Sequence, residues 1–158
     1  MRRCLVVGLG NPILSDDGVG VAVIHALQQQ KWTGTSIDFI EGNVGGLHLM
    51  ERLVGYDDAL IIDAMITRTH PPGWIIRGDF GDWPGARHTW SSHDTRLSVA
   101  LELGLSIGMK LPARIRVWGI EVRDVDTFGL TMTPEVAAAI PQVVREVREY
   151  LILLCHIH

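Results

Sequence analysis

Cysteine is nearly absent. Cys4 and Cys155 are the only two in 158 residues. No disulfide framework holds the chain together, and each cysteine lies in an apolar run that reads as a buried free thiol in a reducing cytoplasm. Long hydrophobic runs are missing too. The stretch after Met1-Arg2-Arg3 is too short for a signal-peptide core or a membrane span, and the tail Tyr150-Leu151-Ile152-Leu153-Leu154-Cys155 is too short to cross a bilayer. No membrane insertion is expected. Basic clusters are lacking: 14 Lys and Arg are scattered among 18 Asp and Glu, for a net charge of −4. That leaves no stripe for a nucleic acid. There is no internal repeat, linker or low-complexity segment. There is no Gly-x-Ser-x-Gly elbow either, and neither cysteine stands with a histidine in a loop, so a nucleophile mechanism has little support.

What is present suits one compact domain spanning residues 1–158. The apolar fraction is 47% and the charged fraction 20%, and a chain of this length buries a sizeable core. Strand-length apolar runs at 4–7, 36–40, 59–62, 73–77 and 114–120 alternate with helix-like segments. The first, third and fifth are rich in Ile, Val and Leu with little alternation, as in parallel strands covered on both faces. Helices are expected over 18–30, with Val19, Val23, Ile24 and Leu27 near helical spacing, and over 46–54, with Leu47, Met50 and Leu53 on one side. A third is expected over 92–105, with a stripe of Leu97, Leu101, Gly104 and Leu105, and Ser91-x-x-Asp94 reads as its capping box. The last helix starts with Thr133 as N-cap, Pro134 in the first turn and Glu135 at the positive end of the dipole. Pro141 predicts a kink or a break into two pieces. The order β-α-β-α-β-β-α-β-α predicts an α/β fold: a three-layer α/β/α sandwich around a mostly parallel, five-stranded twisted sheet. Segment 79–89 is the least regular part. With Phe80, Trp83 and nearby Trp90 among Gly81, Pro84 and Gly85, it reads either as a cover over a site or as a surface loop whose tryptophans close over the core.

Ligands of open α/β sheets bind outside the carboxyl ends of the strands, so those ends carry the functional reading. Strand one runs into Gly8-Leu9-Gly10-Asn11-Pro12-Ile13-Leu14-Ser15-Asp16-Asp17-Gly18-Val19-Gly20. Strand two ends at Glu41-Gly42-Asn43, strand three at Asp63 and strand five at Glu121. The fourth leads through the aromatic loop to His88 and His93. A dinucleotide site fits poorly. Gly8 and Gly10 supply the first two glycines of Gly-x-Gly-x-x-Gly, but Ile13 stands at the third. Asp16 and Asp17 occupy the helix start, where a pyrophosphate needs positive potential. A metal fits better. A carboxylate from the first loop, Asp63 and a histidine make a mixed O,O,N set suited to zinc, nickel, iron or manganese, and three protein ligands leave positions open for chemistry. Each residue also has a plain structural reading: Asp16 or Asp17 as a helix cap, Asp63 as a loop cap, His93 as a satisfied core histidine.

With these residues in view, the chain resembles the hydrogenase maturation endopeptidases, which trim a C-terminal extension from the large subunit of [NiFe] hydrogenase after nickel insertion. The resemblance rests on the Gly-x-Gly-Asn-x-x-x-x-Asp-Asp-Gly-x-Gly opening, Leu60-Ile61-Ile62-Asp63-Ala64 followed by Pro72-Gly73, and Ser92-His93 at a helix start. It continues in Trp118-Gly119-Ile120-Glu121 and in Leu130-Thr131-Met132-Thr133-Pro134-Glu135-Val136. It implies metal-binding and catalytic roles for Asp17, Asp63 and His93, with Asp16 and Glu41 as candidate proton carriers. The family often has Glu where Asp17 stands, and its acid-Gly-Gly-Thr is here Glu41-Gly42-Asn43-Val44. The implied partner is the large-subunit precursor, and the implied metal is nickel carried by that substrate, or another divalent ion such as zinc held by the protein. Two other functions use the same ligands: a nickel-sensing assembly chaperone that does not cleave, and a stand-alone zinc-dependent hydrolase.

Overall fold

The computed structural model describes residues 1–34, 36–42, 45–82, 92–123 and 127–156; for 82, 92–96 and 156 it describes the backbone alone. The strands are β1 (Arg3–Leu9), β2 (Ser36–Gly42), β3 (Asp58–Met65), β4 (Ile75–Asp79) and β5 (Arg114–Glu121). The helices are α1 (Val19–Gln28), α2 (Gly46–Leu53), α3 (Ser92–Ser106) and α4 (Pro134–His156). A single 3-10 turn, Ser15–Gly18, leads into α1.

The strands form one five-stranded sheet in the order β2-β1-β3-β5-β4. Neighbours are parallel except β4, which runs antiparallel to β5 at the edge. Helices α1 and α4 pack together on one face and α2 and α3 on the other. The expected three-layer α/β/α sandwich is therefore the observed fold. The core divides along the alternation of the strands. Val6, Leu60, Ile62, Trp118 and Ile120 join the α1/α4 side. Leu5, Val7, Ile61, Met65 and Val117 join the α2/α3 side. All eight residues of β3 are buried, which is why that strand reads as a continuous apolar run. Burial also pushes the Cys4 thiol above its ordinary value, so it serves as an inert core side chain.

The elements depart from expectation in instructive ways. Asp63 does not end β3 but lies inside it, paired across to Gly119. Leu47 is exposed, and α2 buries Leu49, Met50 and Leu53 instead, because those positions span one face of so short a helix. In α3 the buried stripe is Leu97, Ala100, Leu101 and Gly104, while Leu105 faces solvent. A Cβ on Gly104 would lie 3.0 Å from Met50 Sδ, so this glycine lets α2 and α3 approach closely. Helix α4 is not split at Pro141. The lost ladder bond is outweighed by apolar contacts on both sides of it: Val136 and Ala139 before, Val143, Val147 and Leu151 after. The Ser91 capping box and most of the aromatic loop lie outside the described residues.

Edge strand β4 is tied to α4 by a two-pronged ion pair. The Arg77 guanidinium donates to both Glu146 oxygens, at 2.7 Å for Nη2 to Oε2. That guanidinium holds the Glu146 carboxyl below its ordinary value of 4.5. A depressed carboxyl stabilises the fold above its unfolded value, and the contribution disappears as pH falls through the folded value. Both side chains are partly solvated, so the pair is worth about 1 kcal/mol. Glu146→Gln should therefore be less stable than wild type by about that amount at neutral pH, with the gap closing as pH drops below 4.5. Urea unfolding across pH checks this; a gap that stays constant into acid would contradict it.

Candidate active site

The sheet order sets the location. From β1 the chain crosses to β2 on one side and then to β3 on the other, so a crevice opens beyond the carboxyl ends of β1 and β3. The loop leaving β1 turns back sharply at Gly10, whose φ of +132° suits only glycine and where a Cβ would overlap the Asp17 carbonyl oxygen. Asp17 is half-buried, and its Oδ2 accepts the Asn11 N–H at 2.8 Å. A Cβ on Gly20 would lie 2.5 Å from the Ile62 carbonyl oxygen, so the start of α1 rests directly on the strand beside Asp63. Asp63 is 4% exposed. It shares its face of β3 with Ile61 and Met65, the side covered by α2 and α3.

Helix α3 brings its first turn to the same edge. Its carboxyl end leads into the turn where Gly55 N–H bonds the Lys110 carbonyl at 2.9 Å and Ala113 N–H bonds that of Asp57 at 3.1 Å, at the amino ends of β3 and β5. Fifteen helical residues span about 22 Å, and eight strand residues about 26 Å. The opposite end of α3, with His93 as its second residue, therefore lies at the carboxyl edge. Among the described residues no cluster of three His, Cys, Asp or Glu side chains is close enough to hold a metal. That statement covers Asp17 and Asp63; the side chain of His93 is outside it, and His88 is outside the described residues.

Asp16 and Glu41 take other roles. Asp16 is fully buried. Its Oδ1 accepts the Thr133 N–H at 2.7 Å, and Thr133 Oγ1 donates to the carboxylate at 3.0–3.1 Å. Thr133 is the N-cap of α4 as expected, but its hydroxyl serves Asp16. Ser15, just before, sits at φ +46°, a conformation costing a non-glycine residue about 1–2 kcal/mol. Its N–H to the Gly129 carbonyl at 2.9 Å and its Oγ to the Thr131 carbonyl at 3.0 Å hold it there. Glu41 pairs with His25 of α1. It shares the strand face of Ile37 and Phe39, opposite the face that carries Asp63. The topology thus brings Asp17, Asp63 and the first turn of α3 to one edge of the sheet and leaves Glu41 on its opposite face.

One acid that the sequence placed at a strand end was given no role there. Glu121, 2% exposed, ends β5 and accepts the Thr67 N–H at 2.9 Å and the Thr67 hydroxyl, anchoring the chain just after β3. The signal was its position: a lone carboxylate closing an apolar strand at the ligand-binding edge. Asp16 and Glu121 are both held by neutral donors. At the amino edge, by contrast, Asp58 faces the Arg2 guanidinium and Asp57 faces Lys110.

Fold and edge together define an α/β protein that collects carboxylates where nucleotide-binding relatives of this architecture collect phosphate-binding N–H groups. Comparison with known proteins gives the family. Residues 21–149 match the family model HycI, described as hydrogenase maturation protease. The chain belongs to that family, a family of peptide hydrolases. It is 26% identical to the hydrogenase 2 maturation protease of Escherichia coli strain K12, over 93% of this chain and 92% of that one. It is 28% identical to the hydrogenase expression/formation protein HupD of Thiocapsa roseopersicina, over 93% of this chain and 66% of that one. Among solved structures, the hydrogenase 2 maturation peptidase of Thaumarchaeota archaeon SCGC_AB-539-E09 superposes with a TM-score of 0.70 at 27% identity, covering 95% and 98% of the two chains. The hydrogenase maturating endopeptidase HybD of E. coli shares the fold with a TM-score of 0.78 at 24% identity, covering 94% and 91%. No described helix is long and apolar enough to cross a membrane.

The Asp16–Thr133 tie gives a direct test. Asp16→Ala leaves a buried N–H and hydroxyl unpaired, at a cost of about 2 kcal/mol, or about 4–8 °C in melting temperature. Asp16→Asn, which keeps an acceptor, should lose less than half of that. Thermal denaturation of the two variants measures the difference, and equal melting temperatures would show that the tie contributes little.

Proposed function

We propose that this chain removes the C-terminal extension of a [NiFe] hydrogenase large-subunit precursor once nickel is in place, in the cytoplasm, and recognises the substrate-held nickel through Asp17, Asp63 and His93. The observation that supports this most is the placement of Asp17 and Asp63 at the switch-point edge of the sheet, where the first turn of α3 also begins. Two carboxylates and one imidazole form an incomplete, negatively charged ligand set. Such a set holds a free divalent ion weakly and completes the coordination of an ion already bound by the substrate. Nickel so placed polarises the scissile carbonyl or an attacking water, and a carboxylate relays the proton to the leaving amine. That relay falls to Asp17 or Asp63, because Asp16 is committed to Thr133 and Glu41 faces α1.

Purified protein incubated with nickel-loaded and nickel-free precursor tests the proposal. Cleavage of the loaded form alone is expected. Binding without cleavage would replace it with an assembly chaperone. Cleavage of both forms, abolished by stripping metal from the protein, would replace it with a zinc-dependent hydrolase. Asp17→Asn, Asp63→Asn and His93→Ala should each lower kcat/KM by about 100-fold or more, since a ligand matters at least as much as the groups that orient it. Full activity in any one removes that residue from the site.

A further inference from the structure

Two segments beside the acid pair zip together. Leu14 and Gly129 form a parallel bridge. Gly129 N–H donates to the Ile13 carbonyl at 2.7 Å, and Ser15 N–H donates to the Gly129 carbonyl at 2.9 Å. The bridge sets Ile13 and Phe128 one residue before its two partners and Leu130 one residue after Gly129, so the three lie close together along the paired segments. These are the side chains that water reaches: Ile13 is 48% exposed, Phe128 78% and Leu130 78%. Exposed apolar residues scattered singly carry no message, but adjacent ones on a fixed platform mark contact surfaces. This platform is fixed. Ser15 is held at positive φ, and the Asp16–Thr133 bonds close the far side. The segment therefore cannot fold its apolar side chains inward without breaking those bonds.

We infer that segments 13–15 and 128–130 form an apolar landing rim for the polypeptide substrate, docking an apolar patch of the hydrogenase precursor next to Asp17. The inference rests on the proposed protease function for the identity of the partner and adds where that partner sits. The occupant is a polypeptide because the family hydrolyses peptides and because the rim runs directly into Asp16-Asp17 along the chain. The contact is made by side chains, since the facing backbone groups of the two segments already bond each other.

The double variant Phe128→Ser/Leu130→Ser, made in the full chain, tests this against nickel-loaded precursor. KM is expected to rise at least 10-fold with kcat within twofold and the melting temperature close to wild type, since both side chains are exposed. Ile13→Ser should give a smaller rise in the same direction and replaces the double variant should that fail to fold. Binding of precursor is measured separately in an Asp63→Asn background. Loss of binding in the rim variant supports the rim even where the wild type does not cleave, an outcome that would overturn only the protease function. Wild-type KM in the rim variant, with cleavage intact, overturns the rim alone. A wild-type dimer in size-exclusion chromatography that the double variant converts to monomer, with precursor KM unchanged, also overturns it and assigns the rim to a second copy of this chain.

Discussion

A fully buried carboxylate joins the two ends of this fold. Asp16 follows the first strand and Thr133 opens the last helix, 117 residues later, and the bonds between them bring the β1–α1 loop against the start of α4. Burying a carboxylate without partners is costly, so folding favours the arrangement with Thr133 in place. Everything at the carboxyl edge is referenced to that contact. It supports the strained Ser15, and through Ser15 the pairing of Leu14 with Gly129. It fixes where the 3-10 turn stands, and so the direction in which Asp17 leaves it.

The electrostatics of the two sheet edges differ for a reason visible in their partners. At the amino edge, Asp57 and Asp58 meet Lys110 and Arg2, which cancel their charge locally. At the carboxyl edge, the donors to Asp16 and Glu121 are the amides and hydroxyls of Thr133 and Thr67. Neutral donors satisfy a carboxylate's lone pairs without removing its charge. The field of the buried acids therefore extends into the crevice where Asp17 and Asp63 lie, and it favours a cation there. A sheet that gathers negative potential at its ligand-binding edge is suited to a metal-bearing substrate and unsuited to a phosphate.

The fold was legible because β1 and β3 carry apolar runs, β5 is largely apolar, the helices between them carry stripes, and burial on both faces leaves few alternatives for such a pattern. Asp17 was expected in the loop after β1 and His93 at a helix start, which is where the chain carries them, whereas Asp63, expected at a strand exit, lies inside β3. Other features depend on tertiary context. Nothing near Asp16 in the chain names Thr133 as its partner. The alternation of Ile37, Phe39 and Glu41 was readable, but which face α1 would cover was not, so Glu41 looked available until the sheet was assembled. Leu47 misled because an eight-residue helix leaves room for more than one apolar arc. Pro141 signalled a break that packing on both sides of it overrides.

Asp16 and Asp17 are identical neighbours with opposite fates, and the 3-10 turn explains why. Successive residues in such a turn point about 120° apart, so one carboxylate is driven inward to Thr133 while the next stays at the rim of the crevice. The same geometry disposes of the nucleotide alternative more firmly than the missing third glycine does. An anion site at a helix start needs unsatisfied N–H groups. Here the Asn11 N–H is taken by the Asp17 carboxylate and the Asp17 N–H by the Leu14 carbonyl. The loop has turned its own donors onto its own acceptors, and what it presents outward is a carboxylate already oriented by the backbone. A carboxylate fixed in this way loses little conformational freedom on meeting a cation. On the proposed function, this prepares Asp17 for an ion that arrives with its other ligands already attached.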